Sequence, residues 1–200
     1  MKLLKTCALL IAATILTGCA SGYRMINPEK LKYTPNSNAD QIGFEYKYDL
    51  LNFRYHIKEK KFGVQLVSVK LTNNTAKDLV FDQDIKITYV NGEQLVLMDR
   101  EQVFSLLKQD PAYYLIYLTF GLVGDINLLD TREPYAPAPL FFGAGLAGIN
   151  IAWASIANAR FDKELVKYNL SGIVIPKGAT VYGLVGIRGS SMQLLKVKEL

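Results

Sequence analysis

The 200-residue chain is predicted to be an α+β protein, an antiparallel β-sandwich of about seven strands interrupted late by a helical hairpin. Three features predict this. Short segments alternate apolar and polar residues, the period of a strand with one buried face. Turn residues separate them, as at Asn73-Asn74-Thr75, Asn91-Gly92 and Pro176-Lys177-Gly178. Between about Arg100 and Asn169 the period becomes helical, and the strand pattern then returns to the end of the chain. Half the residues are hydrophobic, which is ample for a core and unlike a disordered composition.

The chain opens with Lys2 and Lys5, then an apolar run from Thr6 to Leu16, then Leu16-Thr17-Gly18-Cys19. A basic start, a short apolar region and small residues before a cysteine form a bacterial lipoprotein signal. Residues 1–18 are thus expected to be a leader, and Cys19 to take a lipid as a thioether through its nucleophilic thiolate. Loss of Lys2 and Lys5 lowers the formal charge from +5 to +3. So small an excess points to neither nucleic acid nor a strongly anionic substrate. Cys7 leaves with the leader and Cys19 carries lipid, which excludes a disulfide or cysteine metal site in the mature chain. Residues 19–41 are polar and rich in turn residues, with Asn27-Pro28 and Thr34-Pro35-Asn36-Ser37-Asn38. They read as a flexible tether of roughly 25 Å mean span.

The main domain is expected over residues 42–200, with its helical insertion at about 100–169. Phe44, Tyr46, Tyr48 and Leu50 fall on one face of the first strand. Val67, Val69 and Leu71 repeat the pattern, and Val64 and Leu66 sit out of phase, as a bulge would place them. Ile85, Ile87 and Tyr89 form another inward row, and Asn91-Gly92 predicts a type I′ hairpin into Leu95–Leu97. Val181–Ile187 reads as a buried strand, and Gln193–Leu200 closes the domain.

Helical signals start at Asp99, which forms a capping-box pattern with Gln102 ahead of Val103, Leu106 and Leu107. Asp110-Pro111 restarts a helix with an aspartate cap and proline at the first position. Ala112–Leu129 carries one charge, Asp125, and no charge occurs from Pro134 to Ala159. Phe142, Leu146, Ile149, Trp153 and Ile156 make a bulky stripe, with Gly145, Gly148, Ala152, Ser155 and Ala159 as a small-residue stripe beside it. Both apolar segments are expected to pack as a helical layer, leaving Tyr113, Tyr114 and Tyr117 as a partner surface.

Few residues carry chemistry. Gly143-Ala144-Gly145-Leu146-Ala147-Gly148 matches G-x-G-x-x-G, but a dinucleotide site needs those glycines between a strand and a helix. Here they merge into one apolar helix, which points to helix packing. Asp82-Gln83-Asp84 has a spacing that can hold a cation, yet no further oxygen ligands are marked out, so a polar strand edge is expected. Arg54, His56, Lys58 and Lys60 recur at every second position and would form one basic face on a strand, suited to anionic headgroups. One histidine leaves little for acid/base or zinc chemistry. No cofactor, metal, nucleotide or catalytic residue is expected.

Lys60-Lys61-Phe62-Gly63 ahead of Val67–Thr75, Lys108-Gln109-Asp110-Pro111-Ala112-Tyr113-Tyr114-Leu115 and Pro176–Leu184 resemble segments of uncharacterised Bacteroidota-type lipoproteins with an immunoglobulin-like domain. The resemblance implies an immunoglobulin-like sandwich and an envelope address, and no activity. The expected protein is a non-catalytic lipoprotein, held in the bacterial envelope by its lipid and bound to another envelope protein. Ala20 after the lipidated cysteine favours the outer membrane under the enteric sorting rule. The alternative is a membrane-active protein whose apolar hairpin inserts into the bilayer.

Overall fold

The computed structural model describes residues 20–36, 41–93, 95–119, 138–189 and 191–200. They form a mixed α+β structure with antiparallel sheets. The strands are β1 (Thr34–Asn36), β2 (Ile42–Lys47), β3 (Val64–Asn73), β4 (Leu79–Val80), β5 (Ile85–Tyr89), β6 (Leu97–Met98), β7 (Val174–Ile175), β8 (Thr180–Arg188) and β9 (Leu195–Glu199). The α-helices are α1 (Phe53–Phe62), α2 (Arg100–Leu107) and α3 (Ala138–Lys167), with 3-10 turns at Pro28–Lys30 and Pro111–Tyr117. Two compact units divide the chain: a larger one of Tyr23–Lys108 and Ala159–Leu200, and a smaller one of Met1–Gly22 and Gln109–Asn158.

Among the described residues, the larger unit holds a five-stranded sheet in the order β1-β2-β3-β8-β6, and the two-stranded ladders β4-β7 and β5-β9. One apolar cluster joins them. It takes Phe44 and Tyr46 from β2, Val67, Val69 and Leu71 from β3, Ile85 and Ile87 from β5, and Leu195 from β9. Alternation therefore placed these side chains correctly, because each strand has one face on this core.

Five local readings change. The bulge expected at Val64 and Leu66 is absent, since β3 pairs with β8 in unbroken register from Val64↔Arg188 to Thr72↔Thr180. Val64 and Leu66 are out of phase because β3 is buried on both faces there. Helix α1 packs on β3 and α2 on β8. Two glycines of β8 allow this close approach. A Cβ on Gly186 would lie 2.1 Å from Cγ2 of Val103 in α2, and one on Gly183 would lie 2.1 Å from Cγ of Leu170 in the core.

The stretch Arg54–Lys60 is helix, not strand. Residues two apart then lie about 200° around the axis, so Arg54, His56, Lys58 and Lys60 form no single basic face. Tyr55 and Glu59, four apart, are the buried pair. The expected Asn91-Gly92 hairpin is also absent: β5 pairs with β9, and β6 with β8. Asn91 does not take the positive φ that a type I′ turn requires, so the turn redirects the chain instead of folding it back on β5.

The expected tether is part of the fold from Tyr23 to Asn36. Tyr23, Ile26 and Pro28 are buried, and β1 pairs with β2 from Thr34↔Tyr46 to Asn36↔Phe44. The Tyr23 ring packs on Tyr55 and Phe161, with centroids 5.2 and 5.1 Å away.

Neither of the two stripes expected on α3 is its buried face in the smaller unit. Its inward positions in the smaller unit are Ala147, Asn150, Ala154, Ala157 and Asn158. Ile149, Trp153 and Ile156 are exposed, and so are Gly145, Gly148, Ala152 and Ser155. No described atom lies within 4 Å of a Cβ built on Gly145 or Gly148, so these glycines serve no close packing among the described residues. The first apolar segment begins as the 3-10 turn Pro111–Tyr117, capped by Asp110, whose carboxylate accepts from Ala112 N–H at 3.0 Å. Asp99 sits at the N-cap of α2, but its side chain makes no capping bond.

Candidate functional site

The larger unit has a cleft of about 290 Å³ beside α1 and β3, and it contains the lone histidine. His56 and Glu59 lie one turn apart, so the helix brings their side chains together with Nδ1 of His56 3.3 Å from Oε2 of Glu59. The other carboxylate oxygen accepts from the Leu66 N–H at 2.8 Å. Burial raises the Glu59 pKa above the ordinary carboxylate value, opposed by the Leu66 bond and His56 and aided by the nearby Asp49. Asp49 and Phe53 hold positive φ on the approach to α1. Such a pair can exchange a proton, but the cleft lining among the described residues includes no serine, cysteine or threonine to activate. Both Glu59 oxygens are engaged, Oε1 joining α1 to β3 through Leu66 and Oε2 held by His56 within α1.

A second cleft, of about 360 Å³, lies between α2 and the chain before β5 in the same unit. Asp82, Asp99, Arg100 and Ser171 line it. Arg100 pairs with Asp162 at 2.7 Å and with Glu101 at 3.3 Å, so its guanidinium is directed at its own helix and at α3. Burial raises the Asp82 pKa, against a hydrogen bond to Ser171. Asp82-Gln83-Asp84 is a turn and not the expected strand edge. Asp84 accepts from Val80 N–H at 2.7 Å, which closes that turn. No group of three metal-ligating side chains occurs among the described residues.

The other sequence candidates separate. Cys19 and Asp125 lie outside the described residues. Lys58 donates to the Lys108 carbonyl at 2.5 Å and lies 5.8 Å from the Phe62 ring centroid. Of the proposed tyrosine surface only Tyr113 is exposed. Tyr114 and Tyr117 are buried, with near-parallel rings 6.3 Å apart, because the 3-10 turn directs them to Ala147 and Ala154. The G-x-G-x-x-G residues 143–148 lie inside α3, without the strand-to-helix turn that a pyrophosphate needs.

Sequence reasoning missed the polar centre of the smaller unit. Gln109 N–H donates to Oδ1 of Asn158 and the Gln109 carbonyl accepts from Nδ2 of Asn158, both at 2.8 Å. The Gln109 side chain does the same for Ser21, accepting from its N–H at 3.1 Å and donating to its carbonyl at 2.7 Å. Tyr114 OH also donates to Gln109, at 3.1 Å. One turn-pair earlier on α3, Asn150 accepts from the Ala20 N–H at 2.6 Å. The available signal was the pair of amides at Asn150 and Asn158, eight residues apart on one helical face with Ala154 between. Among the described residues no helix is long and apolar enough to cross a membrane.

Comparison of the chain with protein-family models, with curated proteins and with solved structures finds no match in any of the three.

Proposed function

We infer that this chain is a lipid-anchored envelope lipoprotein, a non-catalytic binding or structural module for another envelope component. The observation that carries it is Leu16-Thr17-Gly18-Cys19 behind Lys2, Lys5 and the apolar run Thr6–Leu16. Two or three acyl chains on Cys19 give stable anchoring where one does not. Ala20 at the next position favours the outer membrane. An immunoglobulin-like sandwich, as in the Bacteroidota-type lipoproteins that the sequence resembles, fits the core shared by the five-stranded sheet and the β5-β9 ladder. A structural role for the His56 cleft fits the engagement of both Glu59 oxygens.

Mass spectrometry of the protein from its native envelope tests the reading. The expected N-terminus is Cys19 carrying a diacylglyceryl thioether, and Cys19→Ala should leave the membrane fraction. An unmodified Cys19 in a soluble periplasmic form would overturn it.

A further inference from the structure

The exposed stripe of α3 has no explanation in the core. Ile149, Trp153 and Ile156 follow one another at helical spacing, and their exposures are 67%, 56% and 51%. In the smaller unit the buried face of the same helix is built from alanines and asparagines. The helix therefore turns Ile149, Trp153 and Ile156 outward while alanines and asparagines face inward, the reverse of a helix made only to cover a core.

The chain that follows the lipid site runs along this helix. Ala20 donates its N–H to Asn150, and it packs with Tyr114, Tyr117, Ala147 and Ala154. Ser21 is held at both its N–H and carbonyl by Gln109. A Cβ on Gly22 would lie 3.5 Å from Nε1 of Trp153. Residues 20–22 are thus fixed along α3 between Asn150 and Trp153. Adjacent Cα atoms are about 3.8 Å apart, so acyl chains on Cys19 would start within one residue of that contact.

We propose that the stripe Ile149, Trp153 and Ile156 lies in the interfacial layer of the bilayer that carries the Cys19 lipid, a reading that rests on the lipoprotein assignment above. The anchor then works as a short clamp that sets one face of the smaller unit on the membrane. A helix in this position buries its apolar side chains about 5–10 Å into the headgroup and acyl boundary. Tryptophan suits that depth, since its ring is apolar and its N–H finds water or headgroup oxygens. Because Leu140–Ala159 carries no charge, the contact needs no anionic lipid and resists salt.

Trp153 is the chain's one tryptophan and reports on the contact directly. The lipidated full-length protein is placed in phosphatidylcholine vesicles with bromine at shallow or deep acyl positions. The expected result is blue-shifted emission, with shallow bromines quenching about twofold more than deep ones, unchanged at high salt. Ile149→Ser with Ile156→Ser keeps Trp153 and the buried face of α3; it should weaken the quenching while circular dichroism stays the same. Lipidated Cys19 with water-like, acrylamide-accessible Trp153 overturns this inference and leaves the lipoprotein reading standing. Blue-shifted emission without bromine quenching also overturns it, since a protein partner or second copy would then cover the stripe. An unmodified Cys19 overturns both.

Discussion

The Tyr23 hydroxyl donates to the Glu164 carboxylate at 2.5 Å, and this bond fastens the start of the larger unit to the last turns of α3. Glu164 is buried and also accepts from the backbone N–H groups of Ile26, at 3.0 Å, and Asn27, at 2.9 Å. One carboxylate thus satisfies three donors that enter the fold together, where an irregular chain would otherwise bury unpaired amides. Burial, then the neighbouring carboxylate, raises the Tyr23 pKa, so the phenol stays a donor through the physiological range.

Glu164→Ala is expected to cost about 3 kcal/mol or more, because it strips three donors of their shared acceptor in a buried site. Tyr23→Phe removes a single donor and should cost about 1–2 kcal/mol. Denaturant unfolding of the two variants gives the comparison. Equal losses would show that the Tyr23 bond alone carries the contact.

Glu59 makes a different prediction, because its pKa is raised. Protonated Glu59 is the form that the buried site favours. Its contribution is complete below the unfolded carboxyl pKa and is lost as pH rises through the folded pKa. Glu59→Gln keeps an oxygen for Leu66 N–H and cannot titrate. The stability difference between the parent and this variant should therefore move in the variant's favour as pH rises. Glu59→Ala leaves the Leu66 N–H unmatched and should cost about 1–3 kcal/mol at acid pH, with the loss narrowing as pH rises. Melting temperatures across the acid-to-neutral range read both effects, and a pH-independent difference between parent and Glu59→Gln would contradict the buried-charge account.

The reciprocal pair Gln109 and Asn158 predicts a local effect. Asn158→Ala leaves both main-chain groups of buried Gln109 without these partners, at about 2 kcal/mol. Amide exchange should quicken first in residues 109–119 and 138–158, which belong to the smaller unit. Protection lost evenly over both units would argue that the pair is not local in its action.

Strands whose single face meets the core were readable as alternation, as Phe44 and Tyr46 or Ile85 and Ile87 show. Where both faces are covered, the period fails. Val64 and Leu66 looked like a bulge because both faces of β3 are buried there, with α1 packed on the strand that follows it, and a two-sided burial has no period of two. Arg54–Lys60 alternates charge at every second residue, but Gly63, at φ 60°, ends α1 with a left-handed cap and was the better local signal. On α3 hydrophobicity itself misled, since Ile149, Trp153 and Ile156 outweigh Ala147, Asn150, Ala154 and Asn158 in any apolar pattern, yet the second set is buried. What accompanies the burial is hydrogen bonding from residues 20 and 109 and packing of Tyr114 and Tyr117, which no single-helix periodicity contains. The buried carboxylates of Glu59 and Glu164 were unreadable for the same reason: their partners lie in other segments.

Gly183 offers the sharpest test of how the core closes over β8. Its position on the sheet is filled by Leu170, fully buried, whose Cγ and Cδ1 would stand 2.1 and 2.3 Å from an added Cβ. Those separations are well inside van der Waals contact, so either Leu170 leaves its place or β8 shifts from β3. The Leu184 N–H, which donates to the Tyr168 carbonyl at 2.8 Å, ties the next residue to the chain leading to Leu170 and resists such a shift. Gly183→Ala should therefore cost about 1–3 kcal/mol through overpacking. Leu170→Ala should cost about 2–5 kcal/mol through the cavity it leaves. Combined, the new methyl enters part of the vacated space, and the double variant should lose less than the two single losses together. Urea unfolding of all four proteins measures the coupling, and strict additivity would mean that Leu170 does not fill the space at Gly183.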